Sequence, residues 1–217
     1  MVRPPASVKR ARPYDATRRR EQARQNRERI VQVAADLFLA DGYTTTAVAV
    51  IALRAQVSVD TIYKSFGGKP GLIRAIYQRA LEGDGPVPAS ERSDQLQAEE
   101  RDPRVIIAGW GRFVAEIAPR VAPIALLIRS AAATDPELRD LLDEIDAARL
   151  RRMTENARRL HEAGHLRRGI TVAGAADVLW TYSSHEIYDL LVLRRAMPVE
   201  RFGRFVADAM AAALLQR

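Results

Sequence analysis

The chain has 217 residues, of which 47% are hydrophobic and 28% are charged, and it contains no cysteine. This composition is typical of a folded protein with a sizeable core and not of a disordered chain. The lack of cysteine excludes a disulfide framework and a thiolate metal site. The longest central apolar run, residues 123–128, is far too short to cross a bilayer, and the Arg-rich N-terminal segment leads into no apolar signal-peptide core. We therefore expect a cytoplasmic protein.

The net charge of +7 is concentrated near the N-terminus. Residues 1–29 hold ten of the 34 basic side chains and three of the 27 acidic ones, so the remaining chain carries equal numbers of both signs. Such a segment suggests a polyanionic partner, because arginines placed near phosphates release condensed counterions. A basic segment that only aids solubility is the alternative explanation.

The first 26 residues contain three prolines, many charges and hardly any large apolar side chains. They cannot bury a core, so we predict a basic flexible arm over residues 1–26. From Arg27 onwards, apolar residues recur at the spacing of one helical face. Gly42 is suited to the left-handed conformation that closes a helix, so this first helix should end at Asp41-Gly42.

Two short helices are predicted next, over residues 47–55 and 59–66. The threonines 44–46 and Ser58 are suitable N-caps for them. Residues 47–52 are apolar enough to form a short strand instead, but the flanking helices favour a helix. Gly67-Gly68 ends the second of these helices, and Lys69-Pro70 opens another, with proline in the first turn where its missing N–H costs nothing.

The remainder of the chain is a connection followed by a helical body. Residues 83–103 are rich in Gly, Pro, Ser and acidic side chains, which predicts a connection that is helical at most in part. Beyond it the apolar spacing is helical, with no convincing strand pair. The predicted helices span residues 104–118, 122–134, 136–162, 172–195 and 199–216.

Two short helices joined by a three-residue turn, behind a stabilising first helix, are typical of a helix-turn-helix that places its second helix in the DNA major groove. Such a helix needs an apolar inner side, here Ile62 and Phe66, and a polar outer side, here Thr61, Tyr63 and Lys64. Small polar groups reach base edges, whereas a phenol and an ammonium reach phosphates.

The segment from Ile30 to Ala80 resembles the N-terminal domain of tetracycline-repressor-type (TetR) regulators. The shared features span about fifty residues: the Gly42-Tyr43 turn followed by threonines, Val57-Ser58, the string Thr61-Ile62-Tyr63-x-x-Phe66, Lys69 and Leu72. The sequence departs from the family pattern at two positions. Gln56 occupies the place of a turn glycine, and a residue with a Cβ adopts a left-handed backbone less readily than glycine does. Val50 replaces an acidic or polar residue and leaves the second helix unusually apolar on its surface.

The resemblance implies a homodimer that binds a palindromic double-stranded DNA operator and is released by a small-molecule effector. Carried over by position, the DNA-backbone contacts would be Thr46, Tyr63 and Lys69. The residues facing bases or phosphates would be Ser58, Val59, Asp60, Thr61 and Lys64. The three DNA-backbone contacts also have purely structural alternatives. Thr46 would be only a helix cap, Tyr63 would pack against the first helix, and Lys69 would be a solvated lysine at the start of a helix.

The last two predicted helices carry more apolar side chains than one core face uses. A four-helix bundle made from two copies of the pair would bury the excess, and an entirely intramolecular core is the alternative. The resemblance extends weakly to the segment DVLWTYSSHEIYDLLV, residues 177–192. A regulatory pocket should be mostly apolar with a few polar groups. The predicted lining residues are Trp110, Phe113, Ile117, Met153, Trp180, Tyr182 and His185.

One motif points to a different class of protein. His161-Glu162-Ala163-Gly164-His165 matches H-E-x-x-H, which places two imidazoles on one helical face around zinc with the glutamate as base. A zinc-dependent hydrolase or a metal-sensing protein is therefore the alternative function, with His185 as a possible third ligand. The arrangement needs a continuous helix, however, and Gly164 is typical of a helix end.

The sequence thus predicts an all-α, TetR-like protein with four parts. These are a basic flexible arm (1–26), a three-helix helix-turn-helix domain (27–82), a connection (83–103), and an effector-binding and dimerisation domain (104–217). The expected function is that of a ligand-responsive transcriptional repressor without enzymatic activity, cofactor or metal.

Overall fold

A computed structural model of the chain describes residues 14–83 and 85–216. Within these residues the structure is all α-helical, apart from one isolated antiparallel bridge between Leu166 and Leu215. The N-terminal helices are α1 (Tyr14–Asp41), α2 (Val48–Arg54), α3 (Val59–Phe66) and α4 (Lys69–Leu81). The others are α5 (Ala89–Glu99), α6 (Pro103–Ala131), α7 (Pro136–Glu162), α8 (Val172–Tyr182), α9 (His185–Tyr188), a π-helical turn (Asp189–Leu193) and α10 (Val199–Leu214).

Helix α1 begins at Tyr14, well before the predicted start at Arg27. The predicted flexible arm is therefore wrong for residues 14–26, and residues 1–13 lie outside the described residues. Residues 17–25 of the extension are exposed, and this segment contains ion pairs at helical spacing. Arg24 pairs with Glu21 at 2.7 Å and with Glu28 at 2.6 Å. Residues three or four apart are neighbours on a helix, so such ion pairs stabilise a helix that is exposed to solvent.

The N-terminal helices enclose a core to which each contributes. The side chains of Phe38 on α1, Ile51 on α2, Ile62 on α3 and Leu72 on α4 are completely buried. Residues 48–54 are helical, so the short strand considered as an alternative there is wrong. The same core continues into α6 and α7, where Ile128 is equally buried. The helix-turn-helix unit is therefore fused to the body rather than connected by a free linker.

Helix α6 is one helix of 29 residues and not the predicted pair. Pro119 and Pro123 lie inside it, and each removes one backbone hydrogen bond. The helix continues because its inner face is buried before, between and after the prolines, at Ala118, Val121 and Ile124. Tertiary packing therefore overrides the local tendency of proline to end a helix.

The predicted helix over residues 172–195 is interrupted. Helix α8 ends at Tyr182, and Ser184 caps α9 by accepting a hydrogen bond from the Ile187 N–H. Two adjacent serines favour such a break because their hydroxyls compete with helical backbone hydrogen bonds. The connection over 83–103 contains α5, which packs on α6 through an Arg92–Glu116 ion pair of 2.5 Å.

Candidate nucleic-acid interface and candidate ligand cavity

Helix α3 is anchored from behind. Ile62 is completely buried, and the half-buried ring of Phe66 lies 4.4 Å from the guanidinium carbon of Arg27. Arg27 also donates a hydrogen bond of 3.1 Å to the Ser65 carbonyl oxygen. The C-terminal end of α3 is thus fixed to α1 by a cation–π contact and a hydrogen bond, both from Arg27. This arrangement holds the helix rigid while its outer side stays open.

The outer side of α3 carries the predicted DNA-contacting residues. Val59, Asp60, Tyr63 and Lys64 are exposed, and Tyr63 retains 54% of its accessible surface. Asp60 and Lys64 form an exposed ion pair of 2.8 Å, one helical turn apart. A phosphate could therefore recruit the ammonium of Lys64 at the expense of a weak surface pair.

The N-terminal end of α3 is capped as its sequence predicts. Ser58 Oγ accepts a hydrogen bond of 3.1 Å from the Thr61 N–H and lies 2.8 Å from the Thr61 hydroxyl oxygen. Both hydroxyls belong to one small network at the start of the helix. Ser58 is exposed and Thr61 is half-buried, so the network lies at the edge of the open face.

Thr46 does not belong to that face. Only 4% of its surface is exposed, and its hydroxyl donates to the Gly42 carbonyl oxygen at 2.7 Å. The predicted contact between Thr46 and the DNA backbone is therefore not supported. The hydroxyl instead satisfies a backbone carbonyl of the turn that follows α1, which is a requirement of any buried polar group.

Lys69 is placed by the turn between α1 and α2. Its Nζ donates to the Thr44 carbonyl oxygen at 3.2 Å and lies 4.5 Å from the centroid of the Tyr43 ring. Partial burial lowers the pKa of Lys69, and the carboxylate of Asp135 opposes that shift. The ammonium thus ties the start of α4 to the turn, and this contact could not be read from the sequence because 25 residues separate the two partners.

The two departures from the family pattern both have structural consequences. Gln56 has a φ of 54°, which is the left-handed backbone that glycine adopts without strain. Val50 and Leu53 on α2 are exposed to 43% and 78%, so the outer surface of that helix is indeed apolar.

A cavity of about 530 Å³ lies in the body between α4, α6 and α7. This volume is within the range of roughly 300–1,000 Å³ that is usual for small-molecule sites. Its walls are mainly apolar and aromatic. Five of the seven predicted pocket residues line it: Trp110, Phe113, Ile117, Met153 and His185.

Trp180 and Tyr182 do not line this cavity, so the prediction is wrong for these two. The Trp180 ring stacks on the guanidinium of Arg149 at 4.3 Å, and the Tyr182 ring packs against Phe205 with 6.4 Å between centroids. Both side chains follow the helical apolar pattern of α8, but they pack on Arg149 and Phe205 instead of lining the cavity.

Burial changes the ionisation of several groups that line the cavity. It lowers the pKa of His185 to about 4, with the positive charge of Arg149 adding to the effect, so the imidazole is neutral at pH 7. Burial also raises the pKa of Tyr77 to about 12. Arg149 and Asn156 line the cavity too, and neither was singled out in the sequence. Arg149 and Asn156 lie on the same face of α7 as Met153, and this spacing was the only signal in the sequence that could have found them.

The H-E-x-x-H motif does not form a metal site. Helix α7 ends at Glu162, and Gly164 has a φ of 72°. His165 therefore lies beyond the end of the helix that carries the exposed His161. Among the residues described, no three His, Asp or Glu side chains are grouped so that they could hold a metal ion. The structure gives no support to the hydrolase or metal-sensor alternative.

The outer surface of the C-terminal helices carries large apolar side chains. Leu190 and Leu193 in the π-helical turn are exposed to 53% and 50%, and Phe205 on α10 to 40%.

No helix in the described ranges is long and apolar enough to span a bilayer.

Residues 30–76 match the sequence model of a family described as bacterial regulatory proteins, tetR family. No curated protein matches the chain significantly in sequence. Several solved structures share its fold. SmeT in complex with triclosan is 22% identical, with a TM-score of 0.69 over 88% of this chain and 92% of that chain.

Two further structures give similar values. NalD, the secondary repressor of the MexAB-OprM multidrug efflux pump in Pseudomonas aeruginosa, is 18% identical, with a TM-score of 0.69 over 90% and 98% of the two chains. The fatty acid degradation regulator FadR from Bacillus halodurans is 18% identical, with a TM-score of 0.71 over 88% and 97%. The predicted resemblance is thus confirmed: residues 30–76 match the N-terminal sequence model of the tetR family, and the chain shares its all-helical fold with these solved structures.

Proposed function

We propose that the protein is a ligand-responsive transcriptional repressor that acts in the cytoplasm as a homodimer on a palindromic operator. The observation that carries this proposal is helix α3: its inner side is fixed by Ile62 and Phe66, and its outer side presents polar groups to solvent. A rigid helix of this kind fits the major groove, where its N-terminal residues read base edges.

The residues of α3 divide by the part of DNA that each can reach. Val59 and Thr61 lie in the first turn and would contact base edges, because an apolar group can meet a thymine methyl and a hydroxyl can meet either donors or acceptors. Tyr63 and Lys64 would contact phosphates, together with Lys69 at the start of α4. Asp60 pairs with Lys64 in the free protein, and this exposed pair would open when the ammonium meets a phosphate.

Helix α4 supports the proposal of ligand control, because it connects the two candidate sites. It follows α3 after only Gly67 and Gly68, and its residues Arg74 and Gln78 line both the ligand cavity and a groove beside the end of α3. A ligand that displaces this helix would alter the position of α3. In the proposed dimer, the two copies of α3 must enter two successive major grooves. A small displacement of either copy would therefore release the DNA.

The relatives support a small organic effector. SmeT is described in complex with triclosan, and NalD is described as a repressor of an efflux pump. The largely apolar wall of the cavity suits a ligand of comparable character.

DNA binding is tested by selecting duplexes from a random pool and measuring affinity by fluorescence anisotropy. We expect Tyr63→Ala and Lys64→Ala each to weaken binding about threefold to tenfold on any sequence. Lys64→Ala should also reduce the slope of log K against log salt by about one, because it removes one positive charge from a phosphate. Arg79→Ala, an exposed charge on α4 that pairs with Glu82, is the matched control and should leave affinity unchanged. Failure of the wild-type protein to bind any duplex at low salt would refute the proposal.

Thr61→Val tests base reading separately. This variant should change which sequence is selected while it retains affinity for nonspecific duplex, because its hydroxyl is assigned to a base edge rather than to a phosphate. An unchanged selected sequence would remove Thr61 from the specificity contacts.

The basic segment can be tested without cutting α1. Removal of residues 1–13 deletes four basic side chains and leaves the helix that begins at Tyr14. We expect weaker DNA binding and a flatter dependence of log K on log salt, since each neutralised phosphate contributes about −0.9 to the slope. An unaltered slope would show that the segment takes no part in binding.

The homodimer is proposed to form through the outer surface of α8, the π-helical turn and α10. Leu190 and Phe205 are exposed apolar side chains on that surface, and such side chains suit an isologous interface. Phe205→Asp should shift the protein to monomers in light scattering, whereas Leu150→Asp on α7, exposed to 44%, should not. A dimer that survives Phe205→Asp and Leu190→Asp together would place the interface elsewhere.

A further inference from the structure

One cation on the cavity wall lacks an anionic partner. Arg149 lies on the inner side of α7, together with Met153 and Asn156 at successive helical turns. Its Nη1 donates to the Trp180 carbonyl oxygen at 2.6 Å and to Ser183 Oγ at 3.4 Å. Its Nε is buried without an acceptor, and Nη2 forms no hydrogen bond with any residue of 14–83 and 85–216.

The guanidinium is held in place by neutral groups. The Trp180 ring stacks against it at 4.3 Å, while the two hydrogen bonds of Nη1 fix its plane. No carboxylate of the described chain lies within 4.0 Å of it, although Asp146 and Glu186 attract it from farther away. Those two carboxylates pair with Arg129 instead, at 3.1 Å and 2.8 Å. Burial accordingly lowers the pKa of Arg149.

The other charged groups on the wall are matched. Arg74 pairs with Glu144, and Arg152 pairs at 2.9 Å with Asp94, which does not itself line the cavity. Glu144 is thus the single carboxylate among the lining residues, and it is already engaged. The Nε1–H of Trp110 is a further buried donor without an acceptor. The cavity therefore has an excess of hydrogen-bond donors and of positive charge.

We propose that the effector is a small apolar molecule that carries one carboxylate, and that Arg149 is the group that recognises this carboxylate. The inference rests on the proposed function of the cavity as the effector site and adds the chemical class of the ligand. A guanidinium fixed in advance binds a planar carboxylate through two parallel hydrogen bonds and loses little freedom in doing so. The aromatic and aliphatic wall formed by Trp110, Phe113 and Ile117 would hold the apolar part.

A cationic ligand is disfavoured by the same arrangement. Aromatic walls attract ammonium groups, but here the ammonium would face Arg149 in a medium that screens charge poorly. The only lining carboxylate would have to leave Arg74 to compensate. His185 is neutral at pH 7 and offers no negative charge.

The test compares ligands that differ only in their head group. Two sets are titrated into the full-length protein at pH 7: decanoate, decan-1-ol and decylamine, and 4-phenylbutyrate, 4-phenylbutan-1-ol and 4-phenylbutylamine. Binding is followed by tryptophan fluorescence, since Trp110 lines the cavity and Trp180 stacks on Arg149, and by calorimetry. We expect each carboxylate to bind about tenfold or more tightly than its alcohol, and the amine to bind most weakly.

Two variants assign the preference to one residue. Arg149→Gln should bring the carboxylate down to the affinity of its alcohol, and Arg149→Lys should retain part of the preference because it keeps the charge but loses the planar fork. Arg152→Gln is the control: this arginine also lines the cavity but is paired with Asp94, so its loss should leave the preference intact. The comparison of ligands on the wild-type protein stands even if a variant fails to fold.

Each other outcome has a definite meaning. An alcohol or amine that binds as tightly as the carboxylate would overturn the assignment of charge but leave the cavity as a ligand site. Binding of none of the six ligands would overturn the cavity as an effector site for amphipathic molecules, and with it the present inference. DNA binding by the unliganded protein is measured independently and would be unaffected by either result.

Discussion

Replacement of Gln56 by glycine should stabilise the protein. Gln56 follows α2 in a Schellman arrangement, in which the Val57 N–H donates to the Ala52 carbonyl at 3.0 Å and the Gln56 N–H to the Leu53 carbonyl at 3.1 Å. These two bonds require the left-handed backbone that gives Gln56 its φ of 54°. For a residue with a Cβ this conformation costs about 1–2 kcal/mol.

The expected gain is smaller than that cost. Glycine removes the strain but gives the unfolded chain more freedom, which costs about 0.5–1 kcal/mol. The net stabilisation should therefore be about 0.5–1 kcal/mol, or an increase in Tm of about 1–4 °C for a chain of this size. DNA affinity should be unchanged, because the Gln56 side chain is exposed and forms no hydrogen bond with α3 within residues 14–83 and 85–216.

A matched substitution gives the opposite sign. Gln95 is exposed on α5 in a regular helix, so Gln95→Gly should destabilise by about 0.5–1 kcal/mol. Both free energies of unfolding are measured by urea denaturation. If Gln56→Gly destabilises the protein as much as Gln95→Gly does, the left-handed backbone at Gln56 carries no strain.

Three other substitutions test the packing. Thr46→Val should lower the free energy of unfolding by about 1–3 kcal/mol, because the Gly42 carbonyl loses its donor. DNA affinity, measured by fluorescence anisotropy below the melting temperature, should be unchanged. A loss of DNA affinity in the folded variant would return Thr46 to the DNA interface. His185 has a pKa of about 4 in the folded protein, below its unfolded value of 6.5, so its contribution to stability is fully present above pH 6.5 and is lost as the pH falls towards 4. The loss amounts to about 3 kcal/mol at most, and urea denaturation of His185→Gln at pH 7 and pH 4.5 should show a correspondingly weaker pH dependence. Gly111→Ala should destabilise by about 1–3 kcal/mol or more, because its Cβ would fall against the Gly203 carbonyl where α6 and α10 meet; unchanged thermal unfolding would contradict that close approach.

The helix-turn-helix could be predicted from the sequence because its signals are local. The bounds of α3 and α7 are those predicted, since Ser58 and Asp135 act as N-caps and Gly67 closes α3 within a few residues of each end. Hydrogen bonds of this kind join groups three or four positions apart, so residue type and spacing determine them. Gln56 is different: the resemblance placed it where the family has a turn glycine, and its backbone is left-handed all the same, with a φ of 54°.

The positions of the functional side chains depended on contacts between distant residues. Thr46 fitted the family pattern but is buried by a turn that folds back on α1. Arg149 resembles any charged helical residue in the sequence, and contacts with Trp180 and Ser183, 31 and 34 positions away, hold it at the cavity. The prolines of α6 remain within a helix because packing on both sides stabilises it. Burial and charge pairing are properties of the assembled body, so the tertiary structure alone decided which polar groups were free to bind a ligand.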